Sequence, residues 1–291
     1  MLIKDKRFIF WIFFVLLWVN SFAWAVVYEL NKTQFLEVNF FDIGQGDAIF
    51  IETPKRYQIL IDGGPDSSIL EKLGKEMPFW DRTIDLVVLT HPEHDHISGL
   101  IEVLKRYKVD FILWTGILRN TGEYEEWKRL IEEEIVQVKI AKTDQKIFFP
   151  ETFLDVLYPF EDLEGKDFKN TNNTSIVIRL VFNNHSFIFT GDLYKSVERK
   201  LVDRGLYLDS NVLKVGHHGS KTSSCEEFLE KVKPEIAVIS AGKENPYNHP
   251  HPEVLEVLDK YDITVLRTDI DGDIKIISDG ENMEIKKTKN L

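Results

Sequence analysis

The segment that most narrows what this chain can fold into is Asp85–Thr90 (DLVVLT), a short apolar run that ends directly in His91-Pro92-Glu93-His94-Asp95-His96. An apolar strand of this kind is buried on both faces, so it requires a layer of structure above and below. The residues at its end have no place in a core. Three imidazoles and two carboxylates within six residues make a costly cluster at a strand end, and mixed nitrogen and oxygen donors suit zinc or manganese. A turn after a rigid strand brings alternate positions together. His91 and Glu93 are therefore expected to face one metal, and Asp95 and His96 a second, before a helix from about Ser98 to Tyr107. The competing reading, a solvated loop merely rich in histidine, requires this coincidence of five metal-competent side chains in six positions.

The rest of the pattern supplies the layers. Gln34–Asp42 alternates as a strand, Ala48–Glu52 returns after the Gly44-Gln45-Gly46 turn, and Gln58–Ile61 runs into Asp62-Gly63-Gly64-Pro65. Further strands are expected at Val109–Trp114, Val136–Lys139, Thr152–Leu157, Val212–Val215, Ile236–Ser240, Thr264–Arg267 and Asp273–Ser278. Ser175–Phe182 and Ser186–Thr190 read as a hairpin across Asn183-Asn184, after a polar loop at Asp162–Asn173. Helices are expected at Ser67–Lys75, Glu123–Glu134, Cys225–Val232 and Glu253–Tyr261. Hairpins followed by interleaved helices, twice over, indicate an α+β protein with sheets inside and helices outside. Neither a repeat nor a low-complexity linker interrupts residues 33–285, which read as one domain.

Residues 1–27 stand apart. Lys4, Lys6 and Arg7 precede Phe8–Val27, an uncharged run in which only Asn20 and Ser21 are polar. About 20 apolar residues cross a bilayer as a helix, and the basic flank stays cytoplasmic. The chain is thus expected to be a single-pass protein of the cell membrane with its domain outside. The alternative is secretion after signal cleavage at Ala23-Trp24-Ala25. The lone Cys225 excludes a disulfide framework and a Cys-rich zinc finger. A net charge of −12 excludes a broad basic coat for nucleic acid but leaves room for a local channel. No protein partner is legible.

The order of short motifs gives a resemblance. His91, Glu93, Asp95 and His96 fill the four places of H-x-[HDE]-x-D-H, motif 2 of the metallo-β-lactamase fold, with His94 on a variable place. Phe41–Ala48 (FDIGQGDA) resembles the family's opening turn, and Leu60-Ile61-Asp62-Gly63-Gly64 its motif 1. Phe189-Thr190-Gly191-Asp192-Leu193 is similar to motif 4. Lys214–Ser220 (KVGHHGS) and Ser240–Pro252, which contains His249-Pro250-His251-Pro252, look like segments of the C-terminal domain of ComEC-type DNA-uptake competence proteins. Asn170–Ser175, an Asn-rich loop, occupies the place of motif 3, where many members carry a ligand histidine.

The resemblance implies a sandwich of two mixed β-sheets flanked by helices (αββα) holding two divalent metal ions, Zn²⁺ or Mn²⁺. The implied ligands are His91, Glu93, Asp95, His96, Asp192 and His249. Asp62 supports them by hydrogen bonds, Asn173 by its amide, and Asp95 also positions the attacking water. Glu93 departs from the shorter Asp or the His usual at its place. His217 and His218 are the candidate proton donors to a leaving oxygen, with His217 preferred; a bare helix cap with incidental histidines is the rival reading. The implied activity is phosphodiester hydrolysis of DNA outside the cytoplasmic membrane, in a chain that lacks the family's multi-helix channel. Two alternatives stand beside it: hydrolysis of another ester or amide, including a β-lactam, and a non-catalytic metal-dependent binding module.

Overall fold

The computed structural model describes residues 6–30, 35–134 and 136–289. The basic residue Lys4, the expected domain start at Thr33 and the first residue of the expected Gln34 strand lie outside them. The chain divides into two units, residues 1–34 and 35–291. The first is one helix, α1 (Lys6–Leu30). Its segment Lys6–Val27, with mean hydropathy 2.1, is long and apolar enough to cross a membrane.

The second unit holds two sheets. The first is built from β1 (Leu36–Phe40), β2 (Ile49–Glu52), β3 (Gln58–Ile61), β4 (Thr83–Val88), β5 (Lys108–Trp114) and β6 (Gln137–Ile140). The chain then lays down the second sheet: β7 (Lys146–Phe149), β8 (Thr152–Tyr158), β9 (Val177–Phe182), β10 (His185–Phe189), β11 (Val212–Lys214), β12 (Ile236–Ile239) and β13 (Thr264–Arg267). It returns to the first sheet with β14 (Ile274–Ser278) and β15 (Met283–Lys287). The strand orders are β15-β14-β1-β2-β3-β4-β5-β6 and β13-β12-β11-β10-β9-β8-β7. Strands β3 to β6 run parallel, as do β10 to β13, so each sheet gathers the C-terminal ends of its parallel strands along one edge.

The strand sequences explain the layering. In β2, Ile49 and Ile51 join Leu36, Val38 and Phe40 between the sheets, against Leu154, Ile178, Phe187 and Phe189. Phe50, one residue out of phase, points to the other face with Leu60 and Val87. There it meets α2 (Ser68–Glu76), α3 (His94–Leu104) and α4 (Gly122–Glu133), which bury Leu73, Leu100 and Trp127. On the outer face of the second sheet, Ile188, Leu213 and Ala237 lie under α5 (Lys195–Asp203), α6 (Glu226–Val232) and α7 (Pro252–Lys260). A short α8 (Thr268–Asp271) follows β13. Apolar residues at every position of β12 and from Phe187 to Phe189 of β10, all buried, are what a strand covered on both sides demands. The result is the expected four-layer αββα sandwich.

The structure corrects details. Helix α3 begins at His94, four residues before the expected Ser98, so Asp95 and His96 lie in its first turn and not in a free turn. Strands β7 and β15 and helix α5 were not expected. β7 is a half-exposed edge strand, and α5 carries only Val197, Glu198 and Leu201 into the core.

Candidate metal centre

The candidate residues come together where the two sheets bring their parallel strand ends. Two glycines set the first half. A Cβ on Gly99 of α3 would lie 1.8 Å from the Gly63 carbonyl oxygen, and one on Gly63 would lie 2.4 Å from the Leu100 nitrogen. Only backbone fits there, so the Asp62-Gly63 turn after β3 presses directly on the first turns of α3. The amide of Gly63 donates to the His96 carbonyl (2.9 Å) and that of Gly99 to the Gly64 carbonyl (2.9 Å).

This contact puts Asp62 under the histidines. Asp62 is fully buried and accepts from the Thr90 amide (2.8 Å), the Thr90 hydroxyl (2.6 Å) and His96 Nδ1 (2.8 Å). His96 therefore carries a proton on Nδ1 and turns Nε2 into the cluster. Because the Thr90 hydroxyl gives its proton to Asp62, its oxygen accepts from His91 Nδ1 at 3.1 Å, which leaves His91 Nε2 bare. His218 Nδ1 donates to the Ser240 carbonyl (2.9 Å), and its Nε2 lies 3.2 Å from Asp95 Oδ2 and 3.3 Å from Asp192 Oδ2. Three buried imidazoles are thus each tied at Nδ1 and aimed at carboxylates through Nε2. Fixing the tautomer from behind is how proteins orient metal-binding histidines.

The donor atoms of His91, His96 and Asp192 lie within 4.8 Å of one another, as do those of Asp95, His96 and His218, and of Asp47, Asp192 and His218. His91 Nε2, His96 Nε2, Asp192 Oδ1 and Asp47 Oδ1 are buried without a hydrogen-bond partner. Leaving buried polar atoms unpaired costs about 1–3 kcal/mol each. A cation bound among His91, His96 and Asp192 relieves three of them together, so these residues fit divalent metal ions.

The charge balance agrees. Burial raises the Asp192 carboxyl, yet the neighbouring His218 and His96 hold it well below the ordinary range. Burial opposes protonation of His96 and His218, but Asp192 and the carboxylates around them carry both well above the usual imidazole value. His91 goes the other way: burial, then repulsion from His96, brings it to about 3. Without a metal, protons on His96 and His218 stand where cations belong. Beneath them Asp47, its carboxyl favoured by burial to rise but lowered by Lys214, forms a fully buried 2.5 Å ion pair with Lys214 Nζ.

Other expected residues lie at the rim. Glu93 is placed differently from the other expected ligands: its Oε1 accepts from Arg119 Nη2 (2.5 Å) and from the Thr171 hydroxyl, and it belongs to none of the donor groups among the described residues. Its longer side chain reaches past the cluster and ties the β4 end to the Asn-rich loop. His249 is outside these groups too. Its ring lies 5.5 Å from the His217 ring and 6.3 Å from that of His218, its backbone N–H and carbonyl are held by the Asn245 amide, and its buried Nδ1 has no partner. His218, a candidate proton donor, lies within the donor cluster. His217 stays at the opening: burial lowers its pKa, Nδ1 meets the Thr222 hydroxyl (2.9 Å), and Nε2 faces the Asn172 amide (3.3 Å). Asn173 acts one step back, accepting from the Tyr194 amide (3.2 Å), and Tyr194 stacks on His217.

Sequence reasoning passed over Asp47, Lys214, Thr90, Arg119 and Ser240. The buried Lys214 had a signal: a lysine closing the apolar run of β11 needs a carboxylate partner.

Residues 41–243 match the model of the metallo-beta-lactamase superfamily. The chain is 35% identical over 256 residues to ComE operon protein 3 of Bacillus subtilis (strain 168), covering 82% of this chain and 32% of that protein. It is 33% identical over 242 residues to competence protein ComA of Neisseria gonorrhoeae, covering 81% and 31%. It thus spans about a third of the length of these relatives. Among solved structures, the metallo-beta-lactamase fold protein YhfI of Bacillus subtilis superposes with a TM-score of 0.57 at 12% identity, over 84% of this chain and 100% of that one.

Proposed function

The chain belongs to the metallo-β-lactamase superfamily, and from that premise we propose that it is a metal-dependent phosphodiesterase that cleaves DNA on the outer side of the cytoplasmic membrane, tethered by α1. The observation that carries the reading is the buried cluster itself, in which His91, His96 and His218 turn orphaned or carboxylate-facing nitrogens toward Asp95 and Asp192. The competence proteins among its relatives support DNA as the substrate class. The pairing of Glu93 with Arg119, and an Asn-rich loop in place of a third histidine, disfavour a β-lactam substrate.

Two divalent ions, Zn²⁺ or Mn²⁺, held by His91, His96, His218, Asp95 and Asp192, would lower the pKa of water and neutralise phosphoryl charge. The chain's own residues do the rest. Asp62 and Thr90 fix the rings of His96 and His91, so little reorganisation accompanies the reaction. Asp95, partly open to solvent, is placed to orient the attacking water. His217 rests neutral with Nε2 toward the opening; taking up a proton as an anionic phosphate arrives makes it the donor to the leaving oxygen.

The test is incubation of the full chain in detergent with end-labelled single- and double-stranded DNA, with Mn²⁺, Zn²⁺ or EDTA, beside Asp192→Ala. Cleavage that needs metal and disappears in the variant supports the reading. Metal binding without cleavage of either DNA rejects it.

A further inference from the structure

A groove beside the metal centre combines aromatic rings and cations in a chain of net charge −12. Its volume is about 640 Å³. One wall is the segment after β8, with Tyr158, Phe160, Lys166 and Phe168; the other is the end of α5, with Lys200 and Arg204. The Tyr158 and Phe160 rings meet edge to face at 5.0 Å, and the Arg204 guanidinium lies 4.0 Å over the Phe160 ring. Two acids, Glu161 and Asp203, also line it, and Lys166 approaches Glu161 at 3.9 Å.

Both walls lead to the metal centre. The first continues from Phe168 to Asn172, whose amide meets His217, and the Tyr158 hydroxyl donates to the Asn173 carbonyl at 2.9 Å. The second begins just past Asp192, because α5 starts at Lys195. A helix of these nine residues is about 14 Å long, and stacked nucleotides advance about 3.4 Å each along a strand. The far end of α5, where Lys200, Asp203 and Arg204 stand, is therefore about four nucleotides along a strand from the start of the helix.

We propose that this groove binds the single-stranded stretch of polynucleotide flanking the scissile phosphate. Bases stack on Phe160, Phe168 and the Arg204 plane, and Lys166, Lys200 and Arg204 take the phosphates. Interleaved rings and cations are what a strand needs, since every base has a face to stack and every link a charge. Three cations against two acids give the groove a local positive excess in an otherwise acidic chain. The inference rests on the DNA-cleaving reading, but binding and cleavage are separable in the experiment.

The experiment measures fluorescence anisotropy of a labelled single-stranded 12-mer with the full chain in detergent and EDTA, across a salt series. The variants are Lys200→Glu/Arg204→Glu, Phe168→Ala, and the charge-matched control Lys105→Glu/Arg106→Glu just past α3, with melting curves to verify folding. The groove double variant weakens binding about tenfold or more and flattens the salt dependence by roughly 1.4 in slope, about 0.7 for each lost phosphate contact. Phe168→Ala weakens it about tenfold by loss of stacking, and the control binds as the parent does. If the folded double variant and Phe168→Ala both bind like the parent, the groove assignment is overturned. Cleavage of DNA with unaffected binding would reject the groove and leave the phosphodiesterase reading. Groove-dependent binding in a chain that cleaves nothing would do the reverse.

Discussion

The two sheets contribute to the metal centre in opposite styles. From the first, the contribution is short in sequence and locked: Asp62 and His91–His96 are wedged together by the backbone contact of Gly63 on Gly99. From the second it is scattered over loops. Asp192 follows β10, His217 and His218 sit in a left-handed turn after β11 (φ 49° and 54°), and His249 hangs from the loop after β12. The first half is a socket with hydrogen bonds behind every ring. The second carries the candidate groups for meeting substrate, and His217 is among the few left partly exposed. The lesson is a division of labour, in which one half holds geometry and the other gives access.

Substitutions separate the two halves. Asp192→Ala removes the carboxylate that faces both His96 and His218, and turnover should fall on the order of a thousandfold or more. Steady-state kinetics with parallel metal analysis measures it; a fall under tenfold would show that the second half contributes no essential charge. Asp62→Asn tests the socket. It leaves Asp95 and Asp192 in place but disturbs the bonds to His96 and Thr90, and metal affinity should drop about 10–100-fold by competition with a chromophoric chelator. His217→Ala should lower kcat about a hundredfold with metal content unchanged, as expected of a proton donor at the rim. If metal is lost instead, His217 belongs to the socket. Glu93→Gln should change metal content least, because Glu93 serves Arg119 and Thr171. Loss of a metal in that variant would restore Glu93 to the ligands.

The protonation states add a pH dependence. His96 and His218 are raised well above the unfolded imidazole value of 6.5, so without metal their contribution to stability is complete below pH 6.5. It is lost as pH rises through the folded values. Metal displaces those protons, so uptake should release them and strengthen with pH. Calorimetry in buffers of different ionisation enthalpy reads the release directly. Absence of proton release between pH 6 and 7 would mean that the two rings are neutral before metal arrives.

The division also explains what the sequence made legible. The β4 strand and its ligands are contiguous, so apolar run and polar cluster could be read together, and the layered fold followed from strands buried on both faces. The pairing of Glu93 was not legible because type and spacing carry no information on where a longer side chain ends, and Arg119 lies 26 positions away. His218 was read as a donor of protons because nothing local reveals that Ser240, 22 positions on, ties its Nδ1. The Asp47–Lys214 pair joins residues 167 positions apart and exists only once both sheets are assembled. Helix α5 was missed because it is short and mostly polar, with a narrow apolar face.

The central claim is that the assembled strand ends hold metals in order to cleave phosphodiesters. Stepwise metal titration of the metal-stripped chain, read by elemental analysis and by cleavage of a labelled strand in the same samples, tests it most directly. The account predicts cleavage that climbs with occupancy and levels off at two ions per chain. Full occupancy without cleavage, or cleavage that persists in the stripped protein, would contradict it.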